Sequence, residues 1–350
     1  MMLENPPPLP RRPSRIPGPP RSPGNRRADV AQGAHSSLRE GLVTSRIGLG
    51  LAALGRPGYI NLGHGSDLDG CTDERSMQRG AHAVLDVAYA SGVRYFDTAR
   101  SYGRAEAFLA EWLDLRGLGP REVTVGSKWG YTYTADWQVD APVHEVKDLT
   151  LATLRRQLAE SHRLLGPNLR LYQIHSATLD SGVLDDPAVL DELDRLRAGG
   201  LSIGLSVTGP GQARTIERAL EVGGFDAVQA TWNLLETAAG AALAAAHAAG
   251  LAVIVKEAVA NGRLSARGQI AQVMKAAREA GCTPDALALG AVLAQPWVDV
   301  VLSGATTTTE LTSNLAARTL EFEPGLFERL TTISEDSVTY WSTRAALPWN

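Results

Sequence analysis

Residues 95–103 of this 350-residue chain read YFDTARSYG, an apolar run that changes abruptly into a polar one. The run Tyr95–Asp97 predicts a short strand, and the residues after it predict a loop that carries Tyr102. A short strand that is apolar on both faces is typical of a parallel sheet covered by helices. The segment therefore predicts one unit of an α/β fold, with polar side chains at the end of its strand.

Further apolar runs of similar length lie on either side of this segment, and helical patterns separate them. Two of the helices have readable ends. Asp186 before Pro187 predicts a helix start with Gly199 as its stop, and Thr283 before Pro284 predicts another start. The further strand candidates are Ile47–Leu51, Val123–Lys128, Leu171–His175, Ser202–Ser206, Ala227–Ala230, Ala252–Lys256 and Val298–Leu302.

Eight strands that alternate with helices over roughly 300 residues predict a (β/α)8 TIM barrel, an α/β fold whose active site is formed by the loops at the carboxyl ends of the strands. We assign residues 41–350 to this single domain. The alternative is an open doubly wound sheet, which needs a glycine-rich phosphate turn after its first strand. Gly48 and Gly50 have that spacing, but no helical pattern follows them, so the barrel is favoured.

Residues 1–40 differ in composition from the rest and predict a disordered leader. They contain seven arginines, three acids and no Phe, Tyr or Trp, and residues 1–27 hold nine of the 19 prolines. Such a segment cannot bury enough apolar surface to offset its ordering entropy. Arg11 and Arg12 are not followed by the apolar stretch of an export signal. A start codon assigned too far upstream is the other interpretation.

The charge and the cysteine content argue against several classes of protein. The chain has a net charge of −4, and because the leader is basic, residues 41–350 carry −8, which argues against a nucleic-acid partner. The run Ala238–Val255 is too weakly apolar and too interrupted to span a membrane. Cys71 and Cys282 fit no metal-ligand spacing and indicate two unpaired thiols in a reducing, cytoplasmic compartment.

Four polar residues lie at or just past the ends of three consecutive predicted strands: Asp97, Tyr102, Lys128 and His175. In a barrel these side chains converge on one mouth. A phenol is a poor acid at pH 7 unless a nearby cation lowers its pKa; Lys128 can supply that charge while Asp97 holds the ammonium group in place. His175 can hydrogen-bond the substrate oxygen. Because none of the four provides a hydride, a reduction requires a nicotinamide cofactor.

Each of the four residues also has a purely structural interpretation. Tyr102 can be a half-buried packing residue, Asp97 can cap the following turn, and His175 can be a satisfied core histidine. Lys128 is harder to explain in this way, because a lysine is unusual at the end of a buried strand. Their shared position at consecutive strand ends favours an active site.

These residues resemble the motif of the aldo-keto reductase family, and the likeness extends over about residues 46–317. Asp97, Tyr102 and Glu106 match the spacing of its Asp/Tyr motif, and the lysine and the histidine follow in its order. The resemblance implies a (β/α)8 enzyme for reversible hydride transfer between NAD or NADP and a carbonyl or alcohol. It also implies that Tyr102 is the general acid and base.

The same resemblance implies cofactor and substrate contacts. The implied cofactor-binding residues are Ser206, Thr208, Gln229, Lys256, Glu257, Gly304, Ala305, Thr306, Glu310 and Asn314. Substrate contacts are expected from aromatic side chains in the loops and in a C-terminal tail over the pocket, although each can instead be a packing residue. The candidates are Tyr59, Trp129, Trp232 and Trp341, with His64 and Trp349 in addition.

Several positions depart from the family pattern. Thr208 stands where an asparagine is usual. Lys256 stands where many members have an aromatic residue that stacks on the nicotinamide ring, and Glu257 stands where a serine is common. Because a lysine cannot stack in this way, it either adds a charge to the pocket or forms an ion pair with Glu257 at the rim.

A further departure concerns the choice between NAD and NADP. NADP-preferring members carry a cation on the loop after the eighth barrel strand, but Ser303–Glu310 contains none. Glu310 is expected to repel a 2′-phosphate and to accept a hydrogen bond from a ribose hydroxyl, which slightly favours NAD. Threonine hydroxyls in this loop and Arg318 are the alternative phosphate ligands.

The sequence leaves three functions open. The first is an oxidoreductase for a small aldehyde, ketone or sugar; the loop Trp129–Lys147 is polar enough for a sugar. The second is a non-redox or internally redox sugar isomerase or epimerase on the same barrel, suggested by Lys256 and Glu257. The third is a nicotinamide-binding regulatory subunit, against which the presence of all four catalytic residues counts. The oligomeric state is not indicated.

Overall fold

Ten strands are present in the computed structural model, which describes residues 44–321 and 325–350. In chain order they are β1 (Ile47–Gly50), β2 (Tyr95–Asp97), β3 (Thr124–Trp129), β4 (Tyr131–Tyr133), β5 (Glu145–Lys147), β6 (Leu169–Ala177), β7 (Ser202–Val207), β8 (Ala227–Thr231), β9 (Ala252–Lys256) and β10 (Val300–Ser303). Strands β4 and β5 form an antiparallel hairpin, and the other strands form a closed parallel barrel in the order β1-β2-β3-β6-β7-β8-β9-β10.

Helices follow the barrel strands along the chain. In the described residues they are α1 (His64–Leu68), α2 (Glu74–Ala90), α3 (Ala105–Arg116), α4 (Leu151–Leu165), α5 (Pro187–Ala198), α6 (Gln212–Val222), α7 (Gly240–Ala248), α8 (Ala271–Glu279), α9 (Pro284–Leu293), α10 (Thr308–Leu315), α11 (Leu326–Thr331) and α12 (Ser337–Ala345). The apolar faces of α2–α7, α9 and α10 pack in the main hydrophobic core around the barrel, and α8, α11 and α12 contribute to a second apolar cluster.

The predicted (β/α)8 barrel is confirmed, and each predicted strand corresponds to a barrel strand. The alternative of an open sheet is wrong because Ile47 of β1 pairs with Val301 of β10, so the sheet has no free edge. The last strand starts two residues later than expected, since the backbone N–H of Val298 is used in a turn to the carbonyl of Gln295. Strand β6 continues past His175 to Ala177, with a pairing irregularity before its end.

Both helix starts that the sequence predicted are present. The Asp186 carboxylate accepts a hydrogen bond from the backbone N–H of Ala188 at 2.9 Å, and the Thr283 hydroxyl accepts one from that of Ala286 at 3.3 Å. These side chains satisfy N–H groups that the first turn of a helix leaves without a partner. Local sequence is therefore sufficient to define where α5 and α9 begin.

A small apolar cluster fills the barrel interior. Its residues are Tyr95, Leu171, Ala227, Ala252, Ile254, Val300 and Leu302. The Tyr95 ring is the largest of these side chains, and it fits because β3 has Gly126 beside it. A Cβ atom at Gly126 would lie 2.3 Å from the Tyr95 hydroxyl oxygen. The hydroxyl donates a hydrogen bond to Asp97 Oδ2 at 3.2 Å, so the interior packing supports a carboxylate at the barrel mouth.

The C-terminal segment is attached to the loop that follows β1. The backbone groups of Asn350 and Tyr59 exchange two hydrogen bonds of 3.1 Å, and the Asn350 side chain donates to the carbonyl of Asn61 at 2.9 Å. This attachment brings Arg344 and Trp349 to the barrel mouth.

The remaining expectations concern the leader, the membrane and the thiols. The leader predicted over residues 1–40 lies outside the described residues. No helix in the described part of the chain is long and apolar enough to cross a membrane. Cys71 is exposed and Cys282 is partly exposed; both thiols are free.

Candidate active site

A cavity of about 460 Å³ opens at the carboxyl ends of the barrel strands. Asp97, Tyr102 and His175 line it, and Lys128, which is 1% exposed, contacts the first two. The cavity extends across the barrel mouth to the loop between β10 and α10. The expected cofactor residues that line it are Ser206, Thr208, Gln229, Lys256, Glu257, Gly304, Ala305, Glu310 and Asn314.

A buried ion pair joins Asp97 at the end of β2 to Lys128 of the neighbouring strand β3. Lys128 Nζ binds Asp97 Oδ1 and donates to the carbonyl of Thr98 at 3.0 Å. Asp97 Oδ2 accepts further hydrogen bonds, from Gln229 Nε2 at 2.9 Å and from the Tyr95 hydroxyl. Because removing two charges from water is costly, these additional partners are needed to stabilise the pair.

The hydroxyl group of Tyr102 lies between a cation and an imidazole. Its oxygen is 3.5 Å from Lys128 Nζ and 3.4 Å from His175 Nε2. The backbone N–H of Tyr102 donates to the carbonyl of Ala99 at 3.1 Å, which fixes the turn after β2. The three side chains meet because β2, β3 and β6 are consecutive in the barrel and end at the same rim.

The surroundings of Tyr102 raise its pKa well above the usual value, so the net lowering expected from Lys128 is not found. Burial of the phenol is the largest cause, the charges of Asp97 and Glu145 add to it, and Arg56 opposes it. At neutral pH Tyr102 is therefore a protonated hydrogen-bond donor.

His175 is neutral at pH 7. Burial lowers its pKa well below the usual value, and the positive charges of Lys128 and Lys256 lower it further. Its Nε2 faces Tyr102, and its buried Nδ1 has no hydrogen-bond partner among the described residues. A neutral imidazole has one donor and one acceptor nitrogen, which allows it to share a substrate oxygen with the phenol.

Lys256 and Glu257 both line the cavity, but they do not form an isolated ion pair at its rim. The partner of Glu257 is Arg344 of α12, whose Nε is 3.0 and 2.9 Å from the two carboxylate oxygens. Lys256 Nζ is 4.0 Å from Glu257 Oε1 and donates a hydrogen bond of 2.8 Å to the hydroxyl of Thr231. Three charged side chains therefore lie together at the end of β9: Lys256, Glu257 and Arg344.

Both side chains at this strand end are charged at neutral pH. Burial lowers the pKa of Lys256 to about 8, although the charge of Glu257 opposes this effect. Burial also opposes ionisation of Glu257, but the charges of Arg344 and Lys256 outweigh it and lower the pKa of this carboxyl group to about 2. Glu257 is thus a fixed anion and a poor proton acceptor.

The far end of the cavity contains a cation, Arg267, although the loop Ser303–Glu310 itself has none. Glu310 Oε2 accepts hydrogen bonds from the backbone N–H groups of Thr306 and Thr307 at 2.9 and 3.3 Å and caps α10. Arg267, from the segment between β9 and α8, lies with Nη1 3.3 Å from Glu310 Oε1. Arg318 instead binds the carbonyl of Ser91 and does not line the cavity.

Several candidate residues lie outside the cavity lining: Thr306, His64, Trp129, Trp232 and Trp341. Trp129 and Trp232 belong to the main hydrophobic core, where the Trp232 ring centroid is 5.5 Å from that of Trp297. Trp341 is buried against Tyr340 of the same helix. A tryptophan on or beside a barrel strand fills the space under the helices more readily than it projects into the mouth.

Arg56, in the loop after β1, is a cavity residue that sequence reasoning missed. Its guanidinium carbon lies 5.1, 5.4 and 4.9 Å from the ring centroids of Tyr59, Tyr102 and Trp349. Its Nη1 is 3.2 Å from Glu145 Oε2. A cation in a loop after a barrel strand is a signal that could have identified it. Its partners Tyr102, Glu145 and Trp349 come from distant parts of the chain and gave no such signal.

Comparisons with known proteins agree with this geometry. A solved structure of an aldo-keto reductase from Bacillus halodurans, in its holo form, superimposes with a TM-score of 0.65 at 21% identity and covers 84% of this chain and 94% of that one. A glycerol dehydrogenase from Gluconobacter oxydans gives a TM-score of 0.64 at 22% identity, with coverage of 86% and 95%. These two likenesses show the shared fold.

Three further comparisons bear on the family. A structure from Pseudomonas aeruginosa that is described as an aldo-keto reductase is 27% identical, with a TM-score of 0.58 and coverage of 80% of this chain and 92% of that one. A search of curated proteins finds no match. The sequence model of the aldo/keto reductase family matches residues 46–335, which include the whole barrel. The chain therefore belongs to the aldo/keto reductase family.

Proposed function

We propose that this protein interconverts a carbonyl compound and an alcohol by hydride transfer, with Tyr102 as the general acid and base. The observation that carries the proposal is the position of the Tyr102 hydroxyl, 3.5 Å from Lys128 Nζ and 3.4 Å from His175 Nε2 at the wall of the cavity. Members of the aldo/keto reductase family are NAD(P)-dependent oxidoreductases of carbonyl compounds, and this arrangement supports the same reaction here.

The cavity suits a dinucleotide cofactor. It is continuous from Tyr102 to Asn314, and a Cβ atom added at Gly304 between them would meet no atom within 4 Å, so the backbone there is open to a ligand. Hydroxyl and amide side chains such as those of Ser206 and Gln229 line the path. When bound, a nicotinamide cofactor supplies the hydride that the protein lacks.

The proton chemistry follows from the charges around Tyr102. The phenol is protonated at neutral pH, and together with neutral His175 it can donate hydrogen bonds to a carbonyl oxygen. As hydride reaches the carbonyl carbon, the oxygen becomes an alkoxide that is more basic than a phenolate and takes the Tyr102 proton. Lys128 then stabilises the phenolate by its positive charge, at the distance given above.

For the cofactor, a slight preference for NAD is a proposal that rests on Glu310. Its carboxylate lines the cavity and opposes a further phosphate group. Arg267 is the competing influence, because its guanidinium group lies beside the same carboxylate and favours an anion. The ratio of the dissociation constants for NADH and NADPH therefore depends on whether the ribose lies nearer to Glu310 or to Arg267.

For the substrate, we propose a small aldehyde, ketone or sugar, held at the entrance by Arg56, Tyr59 and Trp349. Aromatic rings suit the apolar face of a sugar, and the Arg56–Glu145 pair offers donors and acceptors for its hydroxyl groups.

A cytoplasmic location stays a prediction.

The proposal is tested by comparing the wild-type protein with Tyr102→Phe in carbonyl reduction, followed by the absorbance of NADH or NADPH at 340 nm. Loss of the proton donor is expected to reduce turnover by about 10²–10⁴-fold, with cofactor affinity retained. Tyr89→Phe is the matched control, because Tyr89 is also half-buried but packs against Trp112 outside the cavity.

Three results would contradict the proposal. Turnover that is unaffected by Tyr102→Phe removes the general-acid role. Cofactor binding without turnover of any carbonyl in a panel of aldehydes, ketones and sugars indicates a regulatory subunit. Conversion of a sugar without net change in nicotinamide absorbance indicates an isomerase or epimerase.

A further inference from the structure

At the catalytic end of the cavity, which is the end lined by Tyr102, the cations differ in their distance from the nearest carboxylate. Most of the cations there have a carboxylate within 3.2 Å. These pairs are Lys128 with Asp97, Arg344 with Glu257, and Arg56 with Glu145. Lys256 differs, because its nearest carboxylate is 4.0 Å away and already binds Arg344 through both oxygens. Among the described residues of this cavity end, Lys256 thus carries a positive charge that is not fully compensated.

The ammonium group of Lys256 is held in place by a neutral partner. It donates a hydrogen bond of 2.8 Å to the Thr231 hydroxyl, which in turn donates one of 3.1 Å to Glu257 Oε2. The Lys256 side chain is 17% exposed and lines the cavity. Because it is poorly solvated and fixed, its charge acts on the cavity with little screening.

The position of Lys256 is on the path of an extended cofactor. Strand β9 lies between β8 and β10 in the barrel, opposite the strands that carry the catalytic residues. A cofactor that reaches from the Tyr102 hydroxyl to the loop after β10 therefore passes the end of β9. Its nicotinamide must be the part nearest Tyr102, because the hydride acceptor is the carbon of the carbonyl that this hydroxyl binds.

We propose that Lys256 discriminates between the two redox forms of the nicotinamide cofactor and favours the reduced form, which biases the site towards carbonyl reduction. This inference rests on the proposed function. The oxidised nicotinamide ring carries one positive charge and the reduced ring carries none. A fixed ammonium group beside the ring therefore repels only the oxidised form.

The phosphate and ribose groups do not obscure this effect. They are the same in both redox forms, so their attraction to Lys256 and Arg267 cancels in the ratio of the two dissociation constants. That ratio, oxidised over reduced, isolates the charge on the ring. At an effective dielectric constant of about 20, a unit charge close to the ring is expected to change it by about tenfold or more.

The ratio is expected to depend on pH. Burial lowers the pKa of Lys256 to about 8, so the ammonium group loses its proton within an accessible range. Deprotonation removes the repulsion, and the ratio falls as the pH rises above 8. The titratable or charged groups that act on Lys256 or respond to it are Glu257 from the end of β9, Arg344 from α12, Lys128 from β3, Asp97 from β2 and His175 from β6.

The experiment measures dissociation constants of the full-length protein for NADH, NAD⁺, NADPH and NADP⁺ by titration calorimetry at pH 7.0 and pH 9.5. With Lys256→Met the oxidised-to-reduced ratio at pH 7.0 is expected to fall by about tenfold. The wild-type ratio at pH 9.5 is expected to approach that of the variant. Lys275→Met is the matched control, because Lys275 is an exposed lysine on α8, and it should leave the ratio unchanged.

A charge-retaining variant distinguishes electrostatics from packing. Lys256→Arg is expected to keep the wild-type ratio at pH 7.0 and to keep it at pH 9.5 as well, because a guanidinium group does not titrate there. Equal ratios in the wild type and Lys256→Met at pH 7.0 overturn the inference while leaving the proposed function intact. Binding of none of the four nucleotides to the wild-type protein overturns the proposed function and this inference with it.

Discussion

Two strand ends of this barrel use the same residue types with different electrostatic results. At the ends of β2 and β3, Asp97 and Lys128 bind each other directly and are almost completely buried. At the end of β9, Lys256 and Glu257 are adjacent in sequence, yet Glu257 binds Arg344 and leaves the lysine at 4.0 Å. A lysine and a carboxylate near each other in the chain therefore do not define an ion pair; a third residue decides which charge is neutralised.

The difference also explains the chemistry that each strand end offers. Burial and the charges of Asp97 and Glu145 raise the pKa of Tyr102, so the phenol keeps its proton although Lys128 Nζ lies 3.5 Å away. The incompletely paired Lys256 keeps a charge that a ligand in the cavity can sense. For the function proposed above, the first strand end positions the proton donor, and the second provides the electrostatic field that acts on the cofactor.

The largest effect on stability is expected from removing one member of the Asp97–Lys128 ion pair. Lys128→Met leaves Asp97 buried without its cation, which is expected to reduce the free energy of unfolding by about 3–5 kcal/mol. Urea unfolding followed by circular dichroism measures this change. The double variant Asp97→Asn/Lys128→Met should recover much of the stability but no carbonyl reduction. A single variant as stable as the wild type would contradict the importance of the pair.

A smaller effect is expected at the end of β9. Arg344→Met removes the hydrogen bonds to Glu257, but Lys256 is close enough to replace the cation, so we expect a loss of about 1.5–3 kcal/mol. The same urea unfolding measures it, with Arg329→Met on α11 as a control for an exposed arginine. A loss as large as that of Lys128→Met would show that Lys256 does not compensate.

The pH dependence of stability tests the same strand end. The pKa of Glu257 is lowered from 4.5 to about 2 by the charges of Arg344 and Lys256, which outweigh burial. A lowered pKa stabilises the folded state above pH 4.5, and this contribution is lost as the pH falls towards 2. Thermal unfolding at pH 7 and pH 3 should therefore show a smaller decrease in Tm for Glu257→Gln than for the wild type. An equal decrease would contradict the assignment.

The smallest effect is expected at the far end of the cavity, where Arg267 Nη1 lies 3.3 Å from Glu310 Oε1. Glu310→Gln keeps a side chain that can cap α10 but removes the charge, so stability should change little. Affinity for NADPH relative to NADH is expected to rise by about fivefold, and Arg267→Met should shift the ratio in the opposite direction. Fluorescence titration measures both ratios; no shift in either variant would remove the electrostatic argument for NAD.

The sequence was most informative where structure depends on near neighbours. The strand candidates and the starts of α5 and α9 follow from apolar runs and from single capping side chains such as Asp186. The meeting of Asp97, Tyr102, Lys128 and His175 was also predictable, because consecutive parallel strands in a barrel end at one rim. The aromatic candidates were less predictable, since Trp129 has the same local pattern whether it fills the core or enters the cavity.

The sequence alone therefore determined the barrel, the positions of its strands and the convergence of the four catalytic candidates. Only the tertiary structure decided which charges cancel: Arg344 reaches Glu257 from α12, Arg267 binds Asp67 of α1, and Arg56 pairs with Glu145 of β5. The physical reason is that apolar periodicity and helix caps are local, whereas a Coulomb interaction depends on distance and burial in three dimensions.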